Sequence, residues 1–411
     1  MNEFLQRPFQ LHNPLQHYKW GATPPDAFIP RLLGIRSKPN TPYAELWIGA
    51  HPSAPSKIRI ENNLLPLNEL VNRFPDQILG EKVARRFNNS LPFLFKVLSA
   101  AESLSIQAHP TKGQAELLHK TDPEHYPDTN HKPEIAIALD SLTALAGFIT
   151  VYQWGGIFQK YPEIAGFFSK NIDNPVFKKR KLTHRQQSET LRQLYQGLIH
   201  LSRTKPLLYQ RSVDRLAQRL KAQKTRHSRK ETLFLESLEK YGNADIGLFT
   251  LFFLKMLSLK AGEAICITPG MPHAYLHGNI VECMTNSDNV VRAGLTPKFK
   301  DINTLMRILN YTPNSAPIIK PEKQNNCFQY PVFTPEFQIS RIHLSRRSQV
   351  FQTGGQIEIF LVIGGTGQLI SRVAHRKKRI VKGQSYLIPA TLPDYTINTR
   401  SQLTLFRVRI P

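Results

Sequence analysis

The chain changes its hydrophobic period twice, and that change limits the folds open to it. Up to about residue 150, short apolar runs such as Leu91–Ala100 (LPFLFKVLSA) and His131–Asp140 (HKPEIAIALD) alternate with Pro-rich turns. This is the texture of strands in a sandwich or barrel. From Tyr152 to about Leu259, segments such as SETLRQLYQGLIHLSR and SVDRLAQRLKAQ bring an apolar residue round every three or four positions, the spacing of amphipathic helices. Alternation returns at Ala264 (AICITPGMPHAYLHGNIVECM) and again from about Gln329, where EIFLVIGGTGQLISR and QSYLIPATLPDYTINT are joined by Gly-rich or Pro-rich turns, consistent with a small jelly roll. A helical insert is expected at Leu67–Asn89, interrupted by Pro75, and a further helix near Ile302–Leu309. The expectation is a mainly β chain with an all-helical insert. Residues 1–151 and 260–320 form one jelly-roll domain, 152–259 the helical domain, and 321–411 a C-terminal β domain.

With 411 residues and 41% hydrophobic content, the chain can bury a sizeable core in two or three domains. Its three cysteines, Cys266, Cys283 and Cys327, have no CxxC spacing, which argues against a disulfide framework and against a thiolate zinc site. The N-terminus has no basic stretch followed by an apolar run, and Leu248–Leu257 is too short to span a bilayer and carries Lys255. A cytoplasmic chain without membrane contact is expected. The net charge of +24 raises the question of a nucleic-acid partner. Its distribution answers that question in part: Lys170–Lys230 holds 17 basic residues against three acids, and Arg341–Lys382 holds nine against Glu358 alone. The rest of the chain is nearly neutral, so the basic excess lies apart from the residues that carry chemistry.

Those residues sit in three short blocks. In LSIQAHP, a strand period of two places Ser105, Gln107 and His109 on one face and Leu104, Ile106 and Ala108 on the other. In HKPEIAIAL, Lys132 and Glu134 share a face, and Pro133 suits a strand start or edge. In PHAYLHG, His273 and Tyr275 share a face just beyond the Pro269–Gly270 turn. Buried polar groups lined up in this way need partners. One amide oxygen, two imidazoles and one carboxylate can bind zinc and leave a coordination position open. Manganese, iron or nickel suits the same donors.

Adding ECMTNSDNVVRAGLTPKFKD, YKWG (Tyr18–Gly21), AELWIGAHPSAPS (Ala44–Ser56) and LPFLFKVLSA, the chain resembles the type I mannose-6-phosphate isomerases over about residues 10–150 and 260–302. The resemblance implies cupin-like jelly-roll barrels, a catalytic one and a C-terminal one. It implies one Zn²⁺ per chain held by Gln107, His109, Glu134 and His273, and interconversion of mannose 6-phosphate and fructose 6-phosphate. Arg292, in VVRAG, maps to the family's active-site arginine. Trp20, Glu45, Lys96, Ser105, Lys132, Tyr275, Glu282, Asp288 and Lys298 fall in matching motifs as pocket residues. The helical and C-terminal segments match only in texture, and the chain is more basic than its relatives usually are.

Aldose–ketose isomerisation moves a proton between C1 and C2 through a cis-enediol, so a base must take and return a carbon-bound proton while charge builds on oxygen. Glu282 is the first choice for the base, with Lys132 a partner for the oxygen-bound proton. Arg292 stays protonated, so it either stabilises the enediolate or clamps the phosphate. Lys96, Lys298 and Ser105 are phosphate candidates. Other readings stand beside this one. A cupin-type dioxygenase or another sugar-phosphate isomerase is one. A nucleic-acid-binding protein using Lys170–Lys230 and the His375–Arg379 run is the other, and it is the less expected. A monomer is expected.

Overall fold

The computed structural model describes residues 5–168, 182–371, 373 and 376–411. Part of the basic Lys170–Lys230 stretch, and His375 of the His375–Arg379 run, therefore lie outside the described residues. Most of the described β structure falls into a ten-stranded and a twelve-stranded sheet.

One long strand, His273–Thr285, organises the ten-stranded sheet. Its first half pairs with Leu142–Phe148 and meets Ile106–Ala108 through His273↔Gln107. Its second half pairs with Phe93–Ala100 and Glu134–Ala138. The change of neighbours comes at Gly278, beside a register shift between Tyr275 and His277, as bulges do where a strand turns a sheet corner. Gly278 has φ 128°, and a Cβ there would stand 2.3 Å from the carbonyl oxygen of Ser141. Only glycine fits. This corner brings the His273 half and the Glu282 half of one strand around a common interior.

The twelve-stranded sheet runs from Glu322–Gln324 through Gln338–Ser345, Gln402–Arg409, Glu358–Ser371 and Ser385–Ile388. Its far edge departs from the expected division of the chain. The N-terminal strand Phe9–His12 pairs with Ser385–Ile388 (Phe9↔Leu387), and Lys57–Ile60 follows it. Phe9, Leu11 and Ile58 are buried in one core with Ile359, Leu387 and Val408, and that core continues to Phe95, Val97, Ile135 and Val281. Apolar burial thus joins the two ends of the chain. Neither strand path closes on itself among the described residues, so the jelly-roll-like sheets are open rather than hydrogen-bonded barrels.

The expected insert at Leu67–Asn89 is three short helices, Leu67–Arg73, Pro75–Leu79 and Glu81–Arg86, with Pro75 opening the second. Pro at a first helical position loses no hydrogen bond. Between the β blocks, helices His184–Thr204, Pro206–Ala222 and Arg229–Tyr241 pack Leu191, Leu198, Val213, Leu216 and Phe234 into a core shared with Phe148 and Phe253. Thr183 with Gln186 and Ser228 with Glu231 form capping boxes that start two of them. Arg211, Arg215, Arg219 and Lys221 lie on the exposed face. Helical structure ends at Phe253, not at Leu259: Leu254–Leu259 is a strand on Leu142–Phe148. Its apolar run is compatible with either period, and the free sheet edge decided between them. The helix near 302 spans Ile302–Ile308. No helix among the described residues is long and apolar enough to cross a membrane.

Candidate metal centre and active site

The strand expected at Leu104–His109 is shorter, Ile106–Ala108, yet its alternation holds. Ile106 and Ala108 are fully buried in the core, while Gln107 faces the interior of the corner. Glu134 opens the neighbouring strand Glu134–Ala138, and His273 opens the long one. His109, Glu134 and His273 come together, each offering a donor atom within 4.8 Å of the others. His109 Nε2 lies 3.3 Å from Glu134 Oε1, and His273 Nε2 lies 3.7 Å from Glu134 Oε2. The Gln107 amide is 3.5 Å from His273 Nε2. Exchanging the amide's nitrogen and oxygen, which are assigned rather than distinguished, presents the oxygen to the same point.

The tautomers follow from backbone acceptors. Nδ1–H of His109 donates to the carbonyl of Asn289 (3.0 Å), and Nδ1–H of His273 donates to that of Met271 (3.0 Å). Both Nε2 atoms therefore turn a lone pair inward, the second-sphere arrangement of metal-ligating histidines. His109 Nε2 is buried and has no hydrogen-bond partner. A lone pair facing a buried carboxylate is repulsive unless a proton or a cation lies between them. Burial pushes the His273 pKa down to about 4, helped by His109, so this ring is neutral. Burial alone would raise the Glu134 pKa, but interaction with the His109 ring, then with Lys132 and His273, holds it well below the usual carboxylate range. The donor set fits one divalent metal ion.

Beside this cluster a row of paired residues crosses four strands in register, with two charges at its centre: Trp47↔Lys96 and Lys96↔Glu282↔Ala136. Directly opposed residues share a face, so Lys96 and Glu282 meet. Lys96 Nζ lies 3.6 Å from Glu282 Oε2 and 3.5 Å from Glu45 Oε2, and 4.9 Å above the Trp47 ring. Burial disfavours the Lys96 charge, but Glu45 and Glu282 outweigh it and raise its pKa. Glu282 is 3% exposed. Burial, then the charge of Glu134, raises its pKa to about 7 against the opposing pull of Lys96. Lys132 Nζ is 3.7 Å from Glu134 Oε1, and the Tyr275 hydroxyl donates to Glu134 Oε2 (3.4 Å).

The remaining expected residues divide. Arg292 is paired in register with Gln107, which puts it on the cluster's face. The Ser105 hydroxyl lies 3.4 Å from the end of the Gln107 amide that faces away from the cluster, and Trp20 packs against the Leu98–Tyr275 core. Asp288 accepts from His51 Nε2 at 3.4 Å, which lowers the Asp288 pKa. Lys298 is exposed in the segment after Gly294, and no ion pair among the described residues joins it to the cluster. Sequence reasoning missed Trp47 and His51. The Trp47 indole N–H donates to Glu45 Oε2, and its ring sits edge-on to His51 at 4.8 Å. Both stand in the AELWIGAHPSAPS block, but a lone aromatic and a lone His there carry no spacing signal. Asn289 was missed as well. Its side chain donates to the carbonyls of Asp128 and Asn130, fixing the carbonyl that orients His109.

Fold and site together define a class: a cupin-like β protein whose sheet interior carries a two-histidine, one-carboxylate cluster able to hold one metal ion. The profile for phosphomannose isomerase type I, catalytic domain, matches residues 8–151. Mannose-6-phosphate isomerase 2 of Arabidopsis thaliana is 35% identical over 96% of this chain and 92% of its own length. The mannose-6-phosphate isomerase of Homo sapiens is 40% identical over 75% of this chain and 74% of its own. A zinc-bound mannose 6-phosphate isomerase structure superposes with TM-score 0.84 at 28% identity, covering 98% of this chain and 99% of that one. The chain belongs to the type I mannose-6-phosphate isomerase family.

Proposed function

We propose that this protein interconverts mannose 6-phosphate and fructose 6-phosphate at the cluster around Glu134, with Gln107, His109, Glu134 and His273 holding one Zn²⁺. The observation that carries the reading is the pairing of two unlike neighbours in one buried interior: an inward-facing donor set without a proton to share, and a carboxylate whose pKa stands near neutrality. When bound, the ion supplies Lewis-acid charge for a carbonyl and for the oxyanion that develops from it.

The chain's own residues do the rest. Glu282 takes the carbon-bound proton from one of C1 and C2 and returns it to the other; a pKa close to the working pH suits both transfers. Lys96, held between Glu45 and Glu282, aims the Glu282 carboxylate and limits its basicity. Because both of its neighbours are carboxylates, Lys96 is a poorer phosphate ligand than the sequence suggested. Lys132 shuttles the oxygen-bound proton. Arg292 and the exposed Lys298 are left to meet the phosphate, with Ser105 and Asp288 contributing hydrogen bonds and Trp20 and Tyr275 forming walls. The interior buries three carboxylates (Glu45, Glu134, Glu282) against two lysines (Lys96, Lys132), an imbalance that a divalent cation offsets. Residues 152–259 act as a largely helical domain beside this site. The working form is a cytoplasmic monomer, which suits the three free cysteines.

The test is metal analysis of the purified protein together with a coupled assay for fructose 6-phosphate formed from mannose 6-phosphate. About one zinc per chain with turnover supports the reading. A full metal site without turnover rejects it.

A further inference from the structure

The strand Val291–Gly294, which carries Arg292, runs into a loop whose two ends rest on one carboxylate from the helical part of the chain. Asp245 lies between the helices Arg229–Tyr241 and Gly247–Phe253 and is 5% exposed. Its Oδ1 accepts the Leu295 N–H at 2.8 Å and the Gly247 N–H at 2.7 Å. Its Oδ2 accepts from the Lys300 ammonium at 3.0 Å, and that ammonium also donates to the Thr296 carbonyl at 3.1 Å. Hydrogen bonds to an ionised group are the stronger kind. Residues 295–300 are thereby pinned where they leave the strand and where they approach the helix Ile302–Ile308.

Close packing adds to the hold. A Cβ on Gly294 would stand 2.4 Å from Gly247 Cα, and one on Gly247 would stand 2.5 Å from the Leu295 nitrogen. Two glycines thus let the helix start and the strand end meet backbone to backbone. Leu295 takes φ 53°, a left-handed conformation that a bulky residue keeps only where its neighbours enforce it. Burial follows the same division: Gly294, Leu295 and Thr296 are buried, whereas Pro297, Lys298 and Phe299 are exposed at the tip. Phe299 stacks on His125 at 3.9 Å, and the Tyr126 hydroxyl donates to Asp301 at 3.0 Å. The tip therefore lies against the segment that leads into Lys132 and Glu134. A lysine on a free loop gives up conformational entropy when it meets a ligand; on a pinned loop much of that entropy is already lost.

We infer that Asp245 is a positioning residue for the substrate phosphate: it fixes the loop that presents Lys298 on the same run of chain as Arg292. The inference rests on the reading above in which Arg292 and Lys298 meet the phosphate of a phosphorylated hexose. Through Asp245 the helical part of the chain acts on the site without touching substrate.

The experiment compares zinc-loaded wild type with the D245N, K298M and D245N/K298M variants of the full chain. Affinity is read by calorimetric titration with sorbitol 6-phosphate, an open-chain hexitol phosphate with no carbonyl to isomerise. Asn keeps an oxygen for the Leu295 and Gly247 N–H groups and removes the charge that holds Lys300. D245N should bind the analogue about tenfold more weakly and raise KM for mannose 6-phosphate by a similar factor. Its kcat and zinc content should stay within about twofold, as for a contact made equally in ground and transition states. In the K298M background the same substitution should change affinity by less than about twofold, because the contact it positions is already gone. K300M removes the other half of the ion pair; it should reproduce D245N, and it carries the test if D245N does not fold. No binding to the wild type, D245N affinity within about twofold of it, or an undiminished loss in the K298M background would overturn the assignment. The last of these would mark a carboxylate that serves stability alone. Because binding is read without turnover, intact coupling without conversion of mannose 6-phosphate would support the clamp and overturn only the isomerase reading.

Discussion

The interiors of the two sheets differ in what fills them. At the corner of the ten-stranded sheet, inward positions carry His109, Glu134, His273, Lys96 and Glu282, all under a tenth exposed. In the C-terminal part of the twelve-stranded sheet, comparable inward positions carry Phe360, Val362, Tyr386, Ile388, Tyr395 and Leu405. Phe360 stacks on Tyr386 at 5.3 Å. The charges buried there pair one to one: Arg407 Nη1 lies 3.5 Å from Glu358 Oε1, and the Tyr395 hydroxyl donates to Glu358 Oε2 at 2.6 Å. Similar strand alternation therefore serves two ends. One interior is filled for packing, and the other is left electrostatically incomplete. Burying unbalanced charge costs several kcal/mol per ion, so the incomplete interior is the one expected to bind and react.

That contrast can be broken in several ways. Chelation strikes hardest: removing the metal should abolish isomerase activity and lower the melting temperature, and added Zn²⁺ should restore both. An apoprotein of undiminished activity would end the distinction. Next, Glu282→Gln should reduce kcat by about 10²–10⁴-fold while zinc content stays unchanged, as read by metal analysis. Because the ionised carboxylate is the base and its pKa is raised to about 7, wild-type kcat/KM should rise as pH climbs through about 7. Below that, it should fall about tenfold per unit. The Gln variant should lose that limb. Gln107→Leu should lower zinc occupancy and activity in parallel with the fold intact, and full activity would remove Gln107 from the ligand set. Phe360→Ala probes the packed interior. It should cost about 3–5 kcal/mol of stability in denaturant titration and leave KM unchanged; an altered KM would mean the two interiors are not independent. Tyr275→Phe should be smallest, an effect of about 0.5–1.5 kcal/mol on kcat/KM from one hydroxyl lost from Glu134.

Alternation was legible wherever one face is buried. Gln107 with His109, and Lys132 with Glu134, could be placed on shared faces because a one-residue slip would turn Ile106, Ala108 and Ile135 out of the core. Three-to-four spacing marked the helices. Periodicity does not say which strands are neighbours. Phe9–His12 reads as an N-terminal strand, yet it lies beside Ser385–Ile388 because its apolar face completes a core started more than 300 residues later. Leu254–Leu259 carries apolar residues that suit either period, and the edge of Leu142–Phe148 was what made it a strand. Lys96 and Lys298 look equally cationic in sequence, but one is buried between two carboxylates and the other is exposed.

What the amino-acid order determined alone is local: the two periods, the turn residues, the faces on which polar groups recur, and the motifs shared with a family. These depend on contacts within a few residues. Tertiary structure decided the rest: the Gly278 corner that folds His273 and Glu282 toward one interior, the Asn289 carbonyl that sets the His109 tautomer from 180 residues away, and the Lys96 bridge between Glu45 and Glu282. Each is a long-range contact whose free energy exists only once the sheets have packed, so no local pattern encodes it.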